Sequence, residues 1–287
     1  MKDKNHAASI RARLLNRAKA DQVDFQRMLV RYAIERLLYR LSICHHGGGF
    51  VLKGATLFTV WMGGPHRVTK DLDLLGTGSP DVDRLIRVFR DVAAVEFAED
   101  GIQFQVDDIT GSPIRKDATY AGVRLLIPCT LASARLKVQV DIGLGDAIIP
   151  EPRPIEMASL LDLPRPHLRA YAPETVVAEK LEALVLLGLG TSRMKDLYDL
   201  DLLGQTFDFD ETLIDAVRAT FVRRGTQIPD TLPIGLSEKF AGDSTKQTQW
   251  RAFLRKATDG EQQALNDVVG RLRRWLWPVL RAAKSSG

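Results

Sequence analysis

Apolar residues recur at two spacings along the chain, and the two spacings predict different elements. Over residues 22–43 they recur every three or four positions, which predicts an amphipathic helix, and the basic stretch 6–20 predicts a helix before it. Another helix is expected from Asp81 to Val95, after a start signal at Ser79-Pro80. Alternating or continuous apolar character then predicts strands at 102–107, 120–128 and 134–142.

The second half of the chain returns to the helical spacing. Pro173 suits the first turn of a helix that continues to Leu187 and has its apolar stripe between Val176 and Val185, and another helix is expected from Arg193. More helices are predicted over 207–281. The stretch 143–154 is rich in glycine and proline, so we predict that it separates the two halves.

The length of the chain bounds the number of domains. A protein of 287 residues can bury two ordinary cores, so we expect two. Its ordinary apolar and charged fractions exclude wholesale disorder. We therefore predict an α+β fold. Residues 1–150 are expected to hold N-terminal helices and a small mixed sheet flanked by helices, and residues 151–287 are expected to form a helical domain.

Two aspartates stand out against the apolar pattern. Asp71 and Asp73 lie two positions apart, and leucines follow each of them at positions 72 and 74. Because side chains alternate along a strand, both carboxylates should point one way while the leucines enter a core. Like charges this close repel unless a cation lies between them, and Mg²⁺ or Mn²⁺ prefers such oxygen ligands. The alternative is an exposed edge strand with two solvated aspartates.

A third acid lies on a later strand. Asp141 is bracketed by Val140 and Ile142 in an alternating segment. With Asp71 and Asp73 it would complete a clamp of three acids around one or two metal ions, which stabilises the attacking and leaving oxygens of a nucleotidyl transfer. A helix start with small residues, then acid-x-acid, then a lone strand acid resembles the nucleotidyltransferase superfamily related to DNA polymerase beta.

Small and cationic residues precede the acids. Gly54 and Ala55 should let the backbone approach a phosphate at the start of a helix, with Lys53 beside them. Arg67 could meet triphosphate oxygens with its planar fork, and Thr69 adds a polar group. The alternatives are that the small residues only allow tight helix packing and that Arg67 only neutralises the aspartates.

Two other polar groups admit both functional and structural interpretations. Asp196 and Asp199 lie three apart on a predicted helix and therefore share a face, where a surface salt-bridge lattice is the plain alternative. His45 and His46 invite a metal site, but adjacent positions do not share a face. We therefore interpret them, with the glycines that follow, as a turn that ends a helix.

Four motifs in order make the chain resemble a known family. These are Leu52–Leu57, Arg67–Leu74, Pro173–Ala183 and Arg193–Leu200. Together they resemble the AbiEii/AbiGii toxin family of nucleotidyltransferase-like toxins, which includes the MenT group of mycobacteria. The resemblance covers about residues 50 to 203. It implies that residues 1–150 hold the nucleotidyltransferase domain.

The resemblance also implies an activity and partners. Family members are toxins of bacterial toxin–antitoxin and phage-abortive systems, and a separately encoded antitoxin neutralises them. They resemble transferases that bind an NTP with Mg²⁺, and several add nucleotides to the 3′ end of tRNA, which blocks aminoacylation and translation. The same chemistry could instead use a protein or a small-molecule acceptor such as an aminoglycoside. The rival of another class is a non-catalytic RNA-binding relative.

The resemblance carries roles to individual residues. Gly54 and Ala55 fall in the nucleotide-binding turn, where the superfamily usually has Gly-Gly or Gly-Ser; alanine loses the serine hydroxyl contact but keeps the backbone one. Asp71 and Asp73 match the metal-binding acids. We expect Asp141 to bind a second metal ion and to draw the proton from an RNA 3′-hydroxyl.

The second half contributes two matched residues. Lys180 matches the lysine of the family's second-lobe helix, and Asp196 matches the acid of its lysine-aspartate motif. We expect Lys180 to neutralise triphosphate charge from the opposite lobe. Asp196 would orient Lys180 or position the incoming hydroxyl.

Charge and cysteine content bear on partners and compartment. The formal net charge is only +4, but both ends of the chain are basic, which suits RNA or is simply a solvated helix face. The two cysteines, Cys44 and Cys129, are far apart in sequence, which fits a protein of the reducing cytoplasm that has no disulfide framework. Charged residues lie where the apolar core of a signal peptide would be, so we expect no signal peptide. No apolar run reaches the length of a membrane span. We expect a cytoplasmic monomer.

Overall fold

The computed structural model describes residues 2–63, 71–116, 120–257 and 263–285. Ten α-helices and eight β-strands lie within these residues. The helices are α1 (Lys2–Ala20), α2 (Phe25–Ile43), α3 (Thr56–Met62), α4 (Val82–Ala94), α5 (Pro173–Leu187), α6 (Met194–Thr206), α7 (Thr212–Arg224), α8 (Glu238–Gly242), α9 (Ser244–Ala257) and α10 (Leu265–Ser285). The strands are β1 (Phe50–Lys53), β2 (Asp71–Gly76), β3 (Ile102–Phe104), β4 (Thr110–Lys116), β5 (Tyr120–Leu131), β6 (Ala134–Leu144), β7 (Arg153–Glu156) and β8 (His167–Ala170).

The chain divides into two compact units. Among the described residues, the first contains those up to 145 together with 153–170, and the second contains 146–152 and those from 171 onward. All eight strands belong to the first unit, and the second is helical. The predicted α+β class, with a mixed sheet beside helices and a helical C-terminal part, is confirmed.

The first unit is built on one mixed sheet. Its strand order is β3-β5-β6-β2-β1-β8-β7, and β4 also pairs with β5. Strand β2 runs parallel to β6 and β1 runs parallel to β8, whereas the other pairs are antiparallel. Strands β7 and β8 were not predicted from the sequence. Each has four residues, which is too short for an alternating pattern to be distinctive.

One face of the central strands forms the core of this unit. Nine inward side chains of four adjacent strands are each at most 1% exposed. They are Leu52, Leu72, Leu74, Val123, Leu125, Ile127, Val138, Val140 and Ile142. Full burial of such a side chain contributes about 1.5–3 kcal/mol. The alternation therefore fixes which side of each strand remains for polar groups.

Helix α2 is buried more completely than an amphipathic helix would be. Asp24 caps it by accepting a hydrogen bond from the Arg27 N–H at 3.0 Å. Helix α1 packs on it, and α2 also contacts β6 and α4, so charged residues on it are enclosed. Arg40 is satisfied by Asp100, to which it donates hydrogen bonds of 2.5 and 3.2 Å. A buried charge requires such a partner.

The second unit is a packed helical assembly. Helix α5 contacts α7 and α6, and α10 contacts α6, α7 and α8. Pro173 occupies the first turn of α5 and Gly188 ends it, as predicted. Trp250 is 1% exposed and lies against Phe253, so it packs in a core rather than forming a base-stacking surface. Within the described part of the chain, no helix is both long and apolar enough to cross a bilayer.

Candidate active site

Charged side chains cross four neighbouring strands of the first unit in one row. Lys53 on β1 is in register with Asp73 on β2, Asp73 with Asp141 on β6, and Asp141 with Arg124 on β5. Residues directly opposite each other in paired strands share a face of the sheet. Asp71 precedes Asp73 by two positions and lies on that face as well. We call these five residues the acidic face.

The acidic face lies on the side of the sheet opposite the core. Asp71 and Asp73 are half-buried, whereas Leu72 and Leu74 between and after them are at most 1% exposed. The predicted alternation of β2 is therefore confirmed, and the alternative of an exposed edge strand is wrong. Strand β2 lies in the middle of the sheet, between β1 and β6.

Asp141 is held by a residue that the sequence did not single out. Arg124 donates two hydrogen bonds to it, Nε to Oδ1 at 2.8 Å and Nη2 to Oδ2 at 2.7 Å. Gln139 donates a third, at 3.3 Å. This bidentate fork is the strongest common geometry between a guanidinium and a carboxylate. Asp141 thus lies on the acidic face, and the guanidinium of Arg124 already binds both of its oxygens.

The acids of this face act on Arg124 together. The hydrogen bond to Asp141 raises the pKa of Arg124, burial lowers it, and the negative charges of Asp141, Asp71 and Asp73 raise it further. The three carboxylates therefore form one region of negative potential. Carboxylate oxygens are the donors that Mg²⁺ and Mn²⁺ take, so the residues of the acidic face fit a hard divalent cation.

Gly54 lies directly against the acidic face. Its φ is +74°, and a Cβ there would lie 2.1 Å from Oδ2 of Asp73 and 2.6 Å from the Asp73 Cβ and Cγ atoms. Both the backbone conformation and the contact therefore require glycine. Ala55, whose methyl group offers no capping oxygen, follows immediately before α3. The turn at Gly54-Ala55 and the carboxylate of Asp73 are thus parts of one arrangement.

Two predicted nucleotide-binding residues, Arg67 and Thr69, lie outside the described residues. Their expected approach to the acids stays a prediction. Lys53, by contrast, is described, and its register with Asp73 places it at the end of the charged row.

A second ionic cluster lies within the helical unit. Lys180 of α5 donates hydrogen bonds of 2.8 Å to Asp196 Oδ1 and 2.8 Å to Asp199 Oδ2, and Arg193 also binds Asp196. Asp196 is 3% exposed and Asp199 is fully buried. These acids are therefore not part of a surface salt-bridge lattice, because α5 covers the face that they share.

The electrostatics of this cluster follow from its burial. Burial alone would raise the pKa of Asp196, but the charges of Lys180 and Arg193, and their hydrogen bonds, lower it well below the ordinary value. The carboxylate is therefore ionised in the folded state. Asp196 and Asp199 together fix the position of the Lys180 ammonium.

Arg224 is another residue of the helical unit that the sequence did not reveal. It contacts three acids: Glu182 at 2.8 Å, Asp146 at 3.3 Å and Glu179 at 3.5 Å. Burial lowers the pKa of Arg224, but these acids raise it by more. Glu179 directly precedes Lys180, so two neighbouring positions of α5 belong to two different ionic groups. Arg124 and Arg224 were missed for the same reason, since neither stands near its acids in sequence.

Comparison with known protein families identifies a match over most of the chain. A family model described as nucleotidyl transferase AbiEii toxin, type IV toxin–antitoxin system, matches residues 36–277. The match includes both the acidic face and the Lys180 cluster. Among proteins with curated descriptions, none matches the chain significantly.

Two solved structures share the fold. The structure of JHP933 from Helicobacter pylori has a TM-score of 0.53 and 14% identity, over 92% of this chain and 95% of that one. A Helicobacter pylori structure provisionally described as a nucleotidyltransferase has a TM-score of 0.53 and 16% identity, over 92% of this chain and 99% of that one. At such identities the likeness establishes the fold alone.

Proposed function

Because the chain belongs to the nucleotidyl transferase AbiEii toxin family of type IV toxin–antitoxin systems, we propose that it transfers nucleotidyl groups from an NTP to RNA with Mg²⁺ or Mn²⁺. The acceptor is the 3′ end of tRNA, so that transfer blocks aminoacylation and translation. The observation that carries the proposal is the placement of Asp71, Asp73 and Asp141 on one partly exposed face of the sheet. An antitoxin partner follows from the family.

The acidic face supplies the ligands of the cation. Asp71 and Asp73 would hold it, and Asp141 would contribute a carboxylate oxygen that is no longer hydrogen-bonded to Arg124. Such an ion, when bound, neutralises triphosphate charge and polarises the transferred phosphoryl group. Two carboxylates beside an anionic substrate would otherwise repel it, so the fit of these donors to a hard cation is central to the proposal.

The remaining residues of the first unit bind and orient the substrates. Lys53, at the end of the charged row, would pair with phosphate oxygens as a point charge. Gly54, with no side chain, lets its backbone come close to phosphate beside Asp73. Asp141 would accept the proton of the RNA 3′-hydroxyl, and the two hydrogen bonds from Arg124 orient that carboxylate.

In the helical unit, Lys180 is proposed to neutralise charge on the triphosphate, as the family resemblance implies. Support comes from its own surroundings, because two carboxylates at 2.8 Å fix its ammonium. These contacts favour the orienting role for Asp196 over the alternative in which Asp196 positions the hydroxyl. Substrate tRNA would place the activity in the cytoplasm.

Transfer of label from NTPs tests the proposal. The purified chain is incubated with each α-labelled NTP, Mg²⁺ and a mixture of tRNA, protein and an aminoglycoside, and label is then measured in each fraction. We expect label in tRNA, at its 3′ end. Label in the protein or drug fraction would establish a different acceptor. No label in any fraction, with any of the four NTPs and either metal, would favour the non-catalytic RNA-binding relative.

The variant Asp73→Asn tests the metal ligands. It keeps the size of the side chain and removes its charge, so we expect transfer to fall about 100-fold or more while the melting temperature holds. Asp108→Asn, at an exposed position of the same unit, is the matched control and should retain transfer. Undiminished labelling of RNA by Asp73→Asn would remove the metal proposal.

A further inference from the structure

We propose that the connection between α2 and β1, together with α4, forms a second metal site of the zinc class. Its ligands are His45, His46 and Asp91, and the thiolate of Cys44 completes the set. One ring nitrogen from each histidine and one carboxylate oxygen of Asp91 lie within 4.8 Å of one another. This site does not depend on the proposed transferase activity.

The backbone brings the two histidines together. Helix α2 ends at Ile43, and the N–H of Gly47 binds the carbonyl of Cys44 at 2.9 Å, which closes a tight turn. A Cβ at Gly47 would lie 2.5 Å from the carbonyl oxygen of Leu41, so the turn requires glycine there. The predicted helix-ending turn is therefore confirmed.

The expectation that adjacent histidines do not share a face is wrong here, because it applies to a regular helix and not to this turn. The ring centroids of His45 and His46 lie 3.8 Å apart. Helix α4 supplies Asp91, whose Oδ2 lies 2.9 Å from Nε2 of His46. Three potential ligands thus come from two elements that are distant in sequence.

Cys44 distinguishes this cluster from an ordinary histidine–aspartate hydrogen bond. Its free thiol is half-buried, and the sulfur lies 3.8 Å from Nδ1 of His45. In a tetrahedral zinc site, sulfur and nitrogen ligands are about 3.6 Å apart, and nitrogen and oxygen ligands about 3.4 Å apart. Side-chain rotation at these partly exposed positions can close the remaining gaps. Sulfur and imidazole ligands favour zinc-class ions over Mg²⁺.

The site is open to an ion from solution and lies apart from the acidic face. The side chain of Asp91 is 58% exposed and that of His46 is 25% exposed. The turn leads directly into β1, and the Thr77 N–H after β2 binds the Gly49 carbonyl at 3.1 Å. A bound ion would therefore fasten the end of α2 to α4 and hold the start of the sheet in place, as a structural metal does.

Metal titration of the purified chain tests this inference. The chain is stripped with a chelator and titrated with ZnCl₂ by calorimetry and with CoCl₂ by visible absorption, in the Asp71→Asn/Asp73→Asn background with excess Mg²⁺ to silence the acidic face. We expect one tight equivalent of Zn²⁺, a tetrahedral Co²⁺ spectrum, and a melting temperature that rises with Zn²⁺.

Variants assign the ligands. His45→Ala, His46→Ala and Asp91→Ala should each weaken Zn²⁺ binding about 100-fold or more, because even outer-shell partners of a metal cost roughly 10- to 100-fold. Cys44→Ser should keep the ion but lose the sulfur-to-cobalt charge-transfer band. His167→Ala, at another exposed histidine of the same unit, should bind as the parent does.

Several results would overturn the site. They are the absence of tight Zn²⁺ binding by the parent chain, an octahedral Co²⁺ spectrum, and undiminished binding by the three ligand variants. Since His45 is exposed, its substitution is expected to leave the fold intact, and circular dichroism checks this. Should a variant unfold, the spectrum of Co²⁺ in the parent chain still decides the outcome.

Discussion

The acidic face and the Lys180 cluster use the same kinds of side chain in opposite surroundings. On the acidic face, Asp71, Asp73 and Asp141 remain partly exposed, and the side chain of Arg124 is 42% exposed. In the helical unit, Asp196 and Asp199 are at most 3% exposed and contact Lys180. Because its acids are buried, the Lys180 cluster is necessary for stability. Because its acids are partly exposed, the acidic face can exchange Arg124 for another cation.

The largest effect on stability should come from Asp199→Ala. This change leaves the ammonium of Lys180, whose side chain is only 12% exposed, with one fewer partner. We therefore expect the unfolding free energy to fall by about 3–5 kcal/mol in urea denaturation. Glu238→Ala is the matched control, since its ion pair with Arg273 is exposed and should contribute less than about 1 kcal/mol. Equal losses in the two variants would erase the contrast between buried and exposed clusters.

Gly54→Ala should damage function more than stability. The new Cβ would meet the carboxylate of Asp73, so we expect transfer to RNA to fall about 100-fold or more. Gly63→Ala is the control, because Gly63 also has a positive φ of +69° but no described atom lies within 4 Å of its Cβ position. Both variants share the backbone strain, and only Gly54→Ala disturbs an acid. Equal transfer activity in the two variants would mean that the contact between position 54 and Asp73 does not affect transfer.

The pH dependence of stability should follow the buried cluster. Because the pKa of Asp196 is lowered in the folded state, its stabilising contribution is present above the unfolded pKa of about 3.9 and is lost as pH falls below it. Urea midpoints of the parent and Asp196→Asn, measured between pH 7 and 3, should therefore differ by a constant amount near neutral pH and begin to approach each other as the pH falls towards 3. A constant difference across that range would contradict the lowered pKa.

The smallest effect on stability is expected for Arg124→Gln. The pair with Asp141 is partly exposed, so the unfolding free energy should change by less than about 1 kcal/mol. Removing the cation should instead raise the affinity for Mn²⁺ several-fold in calorimetry. Arg124→Lys, which keeps the charge, should bind Mn²⁺ nearly as the parent does. An unchanged affinity in Arg124→Gln would mean that the bidentate pair of Arg124 with Asp141 does not compete with Mn²⁺ binding.

Local patterns were sufficient where one element decides the outcome. The side of β2 that carries Asp71 and Asp73 follows from the two-residue period of a strand, and the bounds of α5 follow from Pro173 and Gly188. The four ordered motifs were also sufficient for the family. Strands β7 and β8 escaped prediction, since four residues give too few alternations to distinguish a strand from a loop.

By itself, then, the sequence determined the period of each long element, the face on which the paired acids lie, and the family. Only the tertiary structure decided that Arg124 meets Asp141, that Asp199 is buried beneath α5, and that His45 and His46 approach Asp91. The physical reason is the distance in sequence between the residues that determine each feature. A repeat spacing is set by backbone geometry within a few residues, whereas strand register and burial depend on contacts between segments far apart in the chain.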